Sequence, residues 1–284
     1  MRVLVTGASG LIGSALIVEL QNAGHTADAW KRGTTVSATE MENYDAVVNL
    51  AGATTGKLPW TKKYKQELVD SRLKTTQMLV DAINGCSKPP KVFVSGSASG
   101  FYGDTKTANA KETDAKGTGF LSDLSAAWEE IAKQAKTRVV LIRTTMVMSR
   151  KLGALGRLLP LIKLGVGGPL ASGKQWWAWI SLPDEVAAII HLINTDSAKG
   201  AYNLTAPEAA TCIDVVRSLG KALKRPTIIP VPAFALRLAF GEGADELLIC
   251  NQKLSAEKLL ATGFKFQHPT LDSASAWVTK NPAE

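Results

Sequence analysis

The sequence predicts an α/β protein built around a doubly wound parallel β-sheet. Its first half alternates short apolar runs rich in β-branched residues with longer segments of helical periodicity, which is typical of β-α-β units. A glycine-rich segment lies between the first apolar run and the first helical segment, where such sheets turn sharply from strand to helix. The composition, 45% apolar with no low-complexity tract, is that of an ordinary globular chain.

The elements of the first half follow in order from their periodicity. Strands are predicted at Val3–Val5, Thr26–Lys31, Ala46–Leu50, Val92–Ser95 and Arg138–Arg143. Helices are predicted from Ile12 to Leu20, from about Thr61 to Ile83, and from Phe120 to Lys136. In the last helix the apolar side chains recur at steps of three and four, so one helix face should pack on the sheet.

The second half has a looser pattern of helices, short strands and loops rich in glycine, proline and tryptophan. We therefore expect the sheet domain at residues 1–165, with returning strands and helices near residues 179–205. A smaller, partly interleaved carboxy-terminal lobe is expected at residues 166–284, on the substrate side of the sheet.

Charge and composition narrow the classes of function. Lys+Arg 33 exceed Asp+Glu 25, a formal charge of +8, but the one local cluster, Lys62, Lys63 and Lys65, lies beside Glu67 and Asp70. This pattern predicts a solvated helix face and no nucleic-acid partner. No apolar run approaches the ~20 residues that span a bilayer, and the short amino-terminal run is no signal sequence. We expect a cytoplasmic protein with no membrane partner.

A glycine-rich loop joins the first strand to the first helix. It has the form Gly-x-x-Gly-x-x-Gly within Thr6 to Gly13. Glycines there permit a tight turn and close approach of the backbone to a pyrophosphate, while the helix N-terminus offers free N–H groups. We therefore predict a Rossmann-like fold that binds a dinucleotide through Gly7, Ser9, Gly10, Leu11, Ile12 and Gly13.

The end of the second strand indicates which dinucleotide is bound. A carboxylate there would accept hydrogen bonds from the ribose 2′-hydroxyl of NAD. The strand instead ends in Trp30, Lys31 and Arg32, and its acid, Asp28, is expected mid-strand or facing away. Because two cations suit a 2′-phosphate, Lys31 and Arg32 predict NADP(H). The alternative is that both are solvated charges at a strand end.

Six stretches carry a family resemblance over nearly the whole chain. They are Val3–Gly13, Asn49–Gly52, Asp70–Thr76, Ser95–Gly103, Gly167–Ile180 and Pro230–Arg237. Together they resemble the atypical extended short-chain dehydrogenase/reductases, in the branch called NAD-dependent epimerase/dehydratase-like, which carries a short carboxy-terminal domain of unknown function. The resemblance implies that this small domain lies at about residues 230–280.

The resemblance also implies which further residues approach the cofactor: Leu50, Ala51, Gly52, Glu67 and Arg72. The first three would line the adenine and ribose. Arg72 fits a ligand-facing role on its own evidence, because it shares a helical face with Leu68 and Leu79, where a charge needs a buried partner or an anionic ligand. An interhelix salt bridge is the alternative.

The catalytic pattern of the family is incomplete in this chain. Short-chain dehydrogenases use a Ser or Thr that hydrogen-bonds the substrate oxygen, and a helical Tyr-x-x-x-Lys whose ammonium lowers the phenol pKa. Ser97 matches the serine position, but aligning the helix on Glu129 places Leu121 and Ser125 where the Tyr and Lys belong. Neither side chain can titrate, so the usual acid/base is missing.

A literal Tyr-x-x-x-Lys occurs at Tyr102 to Lys106, five residues after Ser97. Gly103 and Asp104 favour a turn there, so Lys106 should not lie one helical turn from the phenol. Tyr102 by itself, on a loop at the carboxyl end of a strand, is the predicted substitute proton donor, with a packed, hydrogen-bonded aromatic as the alternative. Ser97 and Tyr102 are therefore the predicted catalytic residues.

A tryptophan-rich segment, Ser172–Trp179, holds three of the seven tryptophans beside Lys174 and Gln175. We interpret it as a substrate wall able to stack a planar ring. Packing between the lobes is the alternative, above all for Trp179. No histidine or cysteine spacing indicates a metal site, so no metal is expected.

These observations predict an NADP(H)-binding oxidoreductase or epimerase-like protein. We expect hydride transfer on a small carbonyl, alcohol or sugar-nucleotide substrate, by a monomer or homodimer. The alternative is a non-catalytic NADP(H)-binding protein with a role in regulation or assembly. Leu121 and Ser125 favour that alternative, whereas Ser97 and the tryptophan-rich segment oppose it.

Overall fold

Successive side chains of a β-strand point to opposite faces of the sheet. In this protein, helices cover both faces of one parallel sheet. A computed structural model describes residues 1–150 and 153–280. Its strands are β1 (Arg2–Thr6), β2 (Thr26–Ala29), β3 (Ala46–Asn49), β4 (Val92–Ala98), β5 (Arg138–Thr144), β6 (Met146–Met148), β7 (Trp179–Ser181) and β8 (Gly200–Leu204). Six of them pair in parallel in the order β2-β1-β3-β4-β5-β8, and β6 pairs with β7.

Helices connect the parallel strands, and five further α-helices follow β8 within residues 205–280. In the described residues they are α1 (Leu11–Asn22), α2 (Ala38–Met41), α3 (Lys62–Gly85), α4 (Phe120–Ala132), α5 (Gly153–Lys163), α6 (Leu182–Asn194), α7 (Cys212–Leu223), α8 (Ala233–Phe240), α9 (Glu242–Ala244), α10 (Glu257–Ala261) and α11 (Leu271–Lys280). A 3₁₀ turn covers Ser99–Tyr102, and a π-helical turn covers Asp245–Ile249.

The two faces of the sheet have separate apolar cores. Val5 and Ile142 belong to the core that includes residues of α1 and α6, whereas Leu4 and Leu141 belong to the core that includes residues of α3 and α4. Adjacent strand residues therefore point to opposite faces, as the pleat requires. Because both faces are buried, the central strands are almost continuously apolar.

A further core lies outside the sheet. Residues of β6, α5, α7 and α11 pack there around Trp177 and Trp179. The chain enters this lobe after β5, returns through α6 and β8 to the sheet, and leaves again at α7. The predicted fold class, a Rossmann-like parallel sheet with a smaller interleaved lobe, is confirmed. None of the helices in residues 1–150 and 153–280 is long and apolar enough to cross a membrane.

The ends of several elements differ from the sequence prediction. β2 ends at Ala29 rather than Lys31 because the chain turns away at residues 31–33, where Gly33 has a φ of 86° and Thr34 donates back to the Lys31 carbonyl. β4 continues to Ala98 because it stays paired with β5 along its whole length. α4 ends at Ala132, before the predicted Lys136. Hydrophobic periodicity in the sequence does not show where an element ends, because a strand ends where its pairing with the neighbouring strand stops.

Candidate functional site

The glycine loop between β1 and α1 is packed tightly against the chain that follows β3. Gly7 has a φ of 67°, and a Cβ atom built there would overlap the carbonyl oxygen of Leu50. A Cβ atom on Gly13 would overlap the carbonyl oxygen of Gly7. These two glycines are therefore needed for the close approach of backbone to backbone.

Gly10 lies in a different environment. Its backbone is extended, and a Cβ atom there would meet the Gly7 carbonyl oxygen at 3.1 Å with no other contact. Gly10 begins α1 without a side-chain cap, and the amides of Leu11 and Ile12 bond to no other described residue. Free N–H groups at a helix N-terminus suit an anionic ligand.

A buried hydrogen-bond network fixes the loop that follows β3. Thr6 donates to the side-chain oxygen of Asn49 at 2.7 Å, and the amide nitrogen of Asn49 donates to Thr76 at 2.8 Å. The indole N–H of Trp128 also donates to Thr76, at 2.7 Å. The sequence analysis assigned no role to this network. The Asn49 side chain at the end of a buried apolar strand was the available signal, because a buried amide must be hydrogen-bonded.

Arg72 on α3 lies directly behind Gly52. A Cβ atom on Gly52 would come within 2.9 Å of the guanidinium carbon, so a larger residue would require the Arg72 side chain to shift. One guanidinium nitrogen donates to the Leu68 carbonyl at 3.0 Å, and the group lies 5.4 Å from the Trp128 ring centre. Desolvation lowers the pKa of Arg72 to about 10. Arg72 has no carboxylate partner among the described residues, so the salt-bridge alternative is wrong.

A cavity of about 570 Å³ lies between α3 and the loops that follow β2 and β3. This volume falls in the range of small-molecule sites, roughly 300–1,000 Å³. The lining residues are Trp30, Arg32, Ala51, Gly52, Lys63, Gln66, Glu67, Asp70, Ser71 and Thr75. The cavity thus brings together four of the residues predicted to bind cofactor, namely Arg32, Ala51, Gly52 and Glu67.

The two strand-end cations do not share one environment. Arg32 lines the cavity, whereas Lys31 is exposed and not among its lining residues. Asp28 is half-buried and paired with Arg2 at 2.7 Å, so its carboxylate is engaged on the strand itself. Of the two predicted 2′-phosphate ligands, the structure therefore places only Arg32 in the cavity.

Comparisons with known proteins agree with this geometry. The profile of the NAD dependent epimerase/dehydratase family matches residues 3–205, and that of a domain of unknown function, DUF1731, matches residues 231–278. The chain belongs to the NAD-dependent epimerase/dehydratase family. The predicted resemblance to its atypical short-chain dehydrogenase/reductase branch is confirmed.

Relatives within the family match this chain over nearly their whole length. An epimerase family protein of Mycobacterium leprae is 37% identical over 99% of this chain and 97% of its own. The crystal structure of human epimerase family protein SDR39U1 with NADPH has a TM-score of 0.93 and 33% identity, covering 99% of this chain and 100% of its own. A UDP-glucuronic acid 4-epimerase from Bacillus cereus, 17% identical with a TM-score of 0.77 and 99% coverage of both chains, shares the fold.

The family's catalytic serine position is part of a buried ionic network here. Ser97 donates to Glu129 at 2.7 Å, and Glu129 is paired with Arg143 through bonds of 2.8 and 2.9 Å. Arg143 also donates to the phenol oxygen of Tyr102 at 2.7 Å. The phenol in turn donates to Asn203 at 2.7 Å. Both predicted catalytic hydroxyls thus have internal partners.

Tyr102 is a weak acid in this setting. Its side chain is 5% exposed, and burial raises the pKa of the phenol to about 12. Lys106 has a φ of 54° and lies in the turn that follows, not on a helix with Tyr102. The literal Tyr-x-x-x-Lys is therefore no helical dyad, as the turn residues predicted.

The helix that carries the family's Tyr and Lys offers no titratable group at those positions. Leu121 and Ser125 are both buried. The carboxylate of Glu246, from the π-helical turn, accepts hydrogen bonds of 2.7 Å from the backbone N–H groups of Phe120 and Leu121. A carboxylate of the carboxy-terminal segment thus caps the amino end of α4. The sequence analysis did not find this residue, because 125 positions separate it from Leu121.

The tryptophan-rich segment mainly forms core. Trp179 is fully buried and Trp177 is 8% exposed, both in the core of the second lobe. Trp177 donates its indole N–H to the Leu248 carbonyl at 3.1 Å. Trp176 lies under the ammonium of Lys253, 4.3 Å from the ring centre. For Trp177 and Trp179 the interpretation as a substrate wall is wrong, because packing between α7 and β6 already covers them.

Proposed function

We propose that this chain binds NADP(H) and transfers a hydride between it and a small carbonyl, alcohol or sugar-nucleotide substrate. The observation that carries the proposal is Arg72, a desolvated cation with no carboxylate partner among the described residues, directly behind the Gly52 backbone. Burying a charge is costly unless it is paired, so the arrangement is explained by an anionic ligand. The related human protein was solved with NADPH, which supports the choice of cofactor.

The residues of the site fit the parts of such a cofactor. The free N–H groups of Leu11 and Ile12 at the start of α1 suit the pyrophosphate. The cavity beside Trp30 and Arg32 suits the adenosine end. When bound, the cofactor would donate a hydride in its reduced form or accept one in its oxidised form. The protein's part is to orient the cofactor at the carboxyl edge of the sheet and to exclude water from it.

The site lacks a side chain that readily donates a proton near neutral pH at the expected positions. Leu121 and Ser125 cannot titrate, and the raised pKa of Tyr102, about 12, keeps its proton bound near neutral pH. A missing general acid typically costs about 10²- to 10⁴-fold in rate. We therefore propose slow turnover in which the proton comes from water, the substrate, or Ser97 with Tyr102.

A second candidate function is a non-catalytic NADP(H)-binding protein. The observation that favours it is the engagement of Ser97 and Tyr102 with Glu129, Arg143 and Asn203. Both functions share the cofactor and differ in chemistry. A cytoplasmic location, a small-molecule partner and a monomer or homodimer are parts of the same proposal.

One experiment separates the two functions. NADPH binding is measured by calorimetry, and single-turnover oxidation of bound NADPH is followed across a panel of carbonyl and nucleotide-sugar substrates. We expect slow oxidation that falls with Ser97→Ala or Tyr102→Phe at unchanged NADPH affinity. Tight binding with no oxidation by any substrate would favour the non-catalytic function.

A separate variant tests whether NADPH binds at the glycine loop. Gly10→Val should remove NADPH binding without unfolding the protein, because its side chain would occupy space needed by the pyrophosphate and its Cβ atom would meet one backbone atom, the Gly7 carbonyl oxygen, at 3.1 Å. Undiminished NADPH affinity in this variant would contradict the proposal that the pyrophosphate binds at the start of α1.

A further inference from the structure

The cavity beside α3 is bordered by cations from two directions. Arg32 comes from the turn after β2, and Lys63 comes from the first turn of α3. Sequence analysis placed Lys63 on a solvated helix face and gave it no role. The topology brings it across from Arg32, 31 positions earlier in the chain.

Lys63 differs from Lys65 and Lys74 of α3 in forming no ion pair with another described residue. Lys65 is paired with Glu242 at 2.7 Å and lies 4.3 Å from the Phe120 ring centre. Lys74 is paired with Asp70 at 2.8 Å. Neither Lys63 nor Arg32 forms a hydrogen bond or ion pair through its side chain with another described residue. Both cations are therefore available to a ligand in the cavity.

Two carboxylates, Glu67 and Asp70, also line the cavity, so one cation alone would not favour a bound phosphate. Asp70 is held by Lys74 and by Gln66 at 2.8 Å, so its charge is largely neutralised. Glu67 lines the cavity without such a partner among the described residues. A single cation would be offset by the Glu67 carboxylate, and a phosphate carrying about two negative charges would gain little. With Lys63, and with Asp70 counted together with its partner Lys74, the charge beside the cavity is positive on balance.

We propose that Lys63 is a specificity-determining residue, and that the 2′-phosphate of NADPH binds between its ammonium and the Arg32 guanidinium. This inference rests on the proposed function and extends it to a residue on α3. NADH, which has a hydroxyl in place of the phosphate, gains nothing from the second cation.

The neighbouring Lys62 supplies a matched control. It is exposed, lies one residue away on the same helix turn and does not line the cavity. Successive helix residues point about 100° apart, so Lys62→Gln changes the net charge by the same amount without changing the cavity.

The test measures the dissociation constants of NADPH and NADH by calorimetry for wild type, Lys63→Gln, Lys62→Gln and Arg32→Gln. We expect Lys63→Gln to weaken NADPH roughly tenfold and to leave NADH within about twofold of wild type, since a lost charge-assisted hydrogen bond acts on the phosphate alone. Lys62→Gln should change neither constant. The double variant Arg32→Gln/Lys63→Gln should bind the two cofactors equally.

Three results would overturn the inference. Unchanged NADPH affinity in Lys63→Gln, with wild type still binding NADPH, would refute the role of Lys63 and leave the proposed function standing. An equal loss for both cofactors would show that Lys63 supports the helix rather than the phosphate. Wild type that binds neither cofactor would refute the proposed function and this inference together.

Discussion

Arg143, which is buried, and Arg72, which is half-buried, differ in how the protein balances their charges. Arg143 is 4% exposed, and its guanidinium is bonded to both oxygens of Glu129 and to Tyr102. Arg72 donates to one backbone carbonyl and has no carboxylate within reach among the described residues. A buried charge with full partners fixes a structure, and one without them favours a ligand of opposite charge. The same residue type thus has two roles, set by its neighbours.

Glu185 is a buried carboxyl group at the start of α6. It is fully buried, and Thr144 donates to one carboxylate oxygen at 2.7 Å. The other oxygen has no hydrogen-bond partner. Desolvation raises the pKa of this carboxyl to about 8 from an ordinary value of 4.5. The folded protein therefore favours the protonated form near neutral pH.

Glu185 should make stability fall as the pH rises. Below pH 4.5 the carboxyl is protonated in both the folded and the unfolded state, so it does not change the free energy of unfolding. Between about pH 4.5 and 8 only the unfolded state ionises, so the free energy of unfolding decreases as the pH rises. Above pH 8 both states are ionised and the decrease levels off. We expect Glu185→Gln to exceed wild type by roughly 3–5 kcal/mol at pH 9 and to match it near pH 4.5. Urea unfolding at both pH values measures this, with exposed Glu19→Gln as control. A pH-independent difference would contradict it.

At the scale of elements, α4 depends on a residue far away in the chain. Gly119 precedes it with a φ of 111° and offers no side-chain cap. Glu246 fills that function from the carboxy-terminal segment. The same segment is tied to α3 through Lys65 and Glu242. The amino end of α4 is therefore capped by the small domain, whereas the body of the helix packs through its own apolar residues.

Removing this cap should destabilise the protein measurably. Glu246→Gln loses the negative charge at a helix N-terminus and one of two charge-assisted bonds, so we expect a loss of roughly 1–2 kcal/mol in the free energy of unfolding. The control is Glu257→Gln, which breaks an exposed ion pair with Lys111 and should cost less than about 1 kcal/mol. Equal effects of the two substitutions in urea titrations would show that α4 does not depend on the cap.

At the scale of the whole molecule, the small domain shares its cores with the rest of the chain. Leu259 and Phe264 pack in the core on the α1 and α6 side of the sheet. Leu271 and Val278 pack with Trp179 in the second lobe. The buried carboxylate of Asp184 accepts bonds from the backbone of Gln267 and His268, at 2.6 and 3.0 Å. With Leu254, which packs beside Tyr102 and Ala178, residues 231–278 therefore contribute to three cores that they share with the rest of the chain.

Such sharing predicts a single cooperative unfolding transition. Calorimetry should give one peak with equal calorimetric and van't Hoff enthalpies. A chain that ends at residue 230 should lack that peak, because it would expose the apolar surfaces that Leu259, Phe264 and Leu271 cover. Two resolved transitions in the full chain, or a cooperative transition in the shortened one, would contradict a shared core.

Local pattern determined much of this protein. Strand-forming runs, helical periodicity and the Gly7 to Gly13 loop depend on backbone geometry and side-chain period within a few residues, so the order of elements and the parallel sheet followed from the sequence. The missing acid/base at Leu121 and Ser125 was identified from the family resemblance, by aligning the helix on Glu129. The resemblance placed Arg72 at the site, and its helical face already required a partner.

Tertiary structure decided the contacts between distant segments. Ser97 bonds to Glu129 across 32 positions, and Glu246 bonds to Leu121 across 125 positions. Lys63 and Arg32, 31 positions apart, line one cavity. Nothing in the local pattern of either member indicates the other, because such contacts depend on strand order and on how the carboxy-terminal segment crosses the sheet edge. The surroundings of Tyr102, Trp177 and Trp179 depend on the same packing. Sequence determined which chemical groups are present, and packing decided which of them face a ligand.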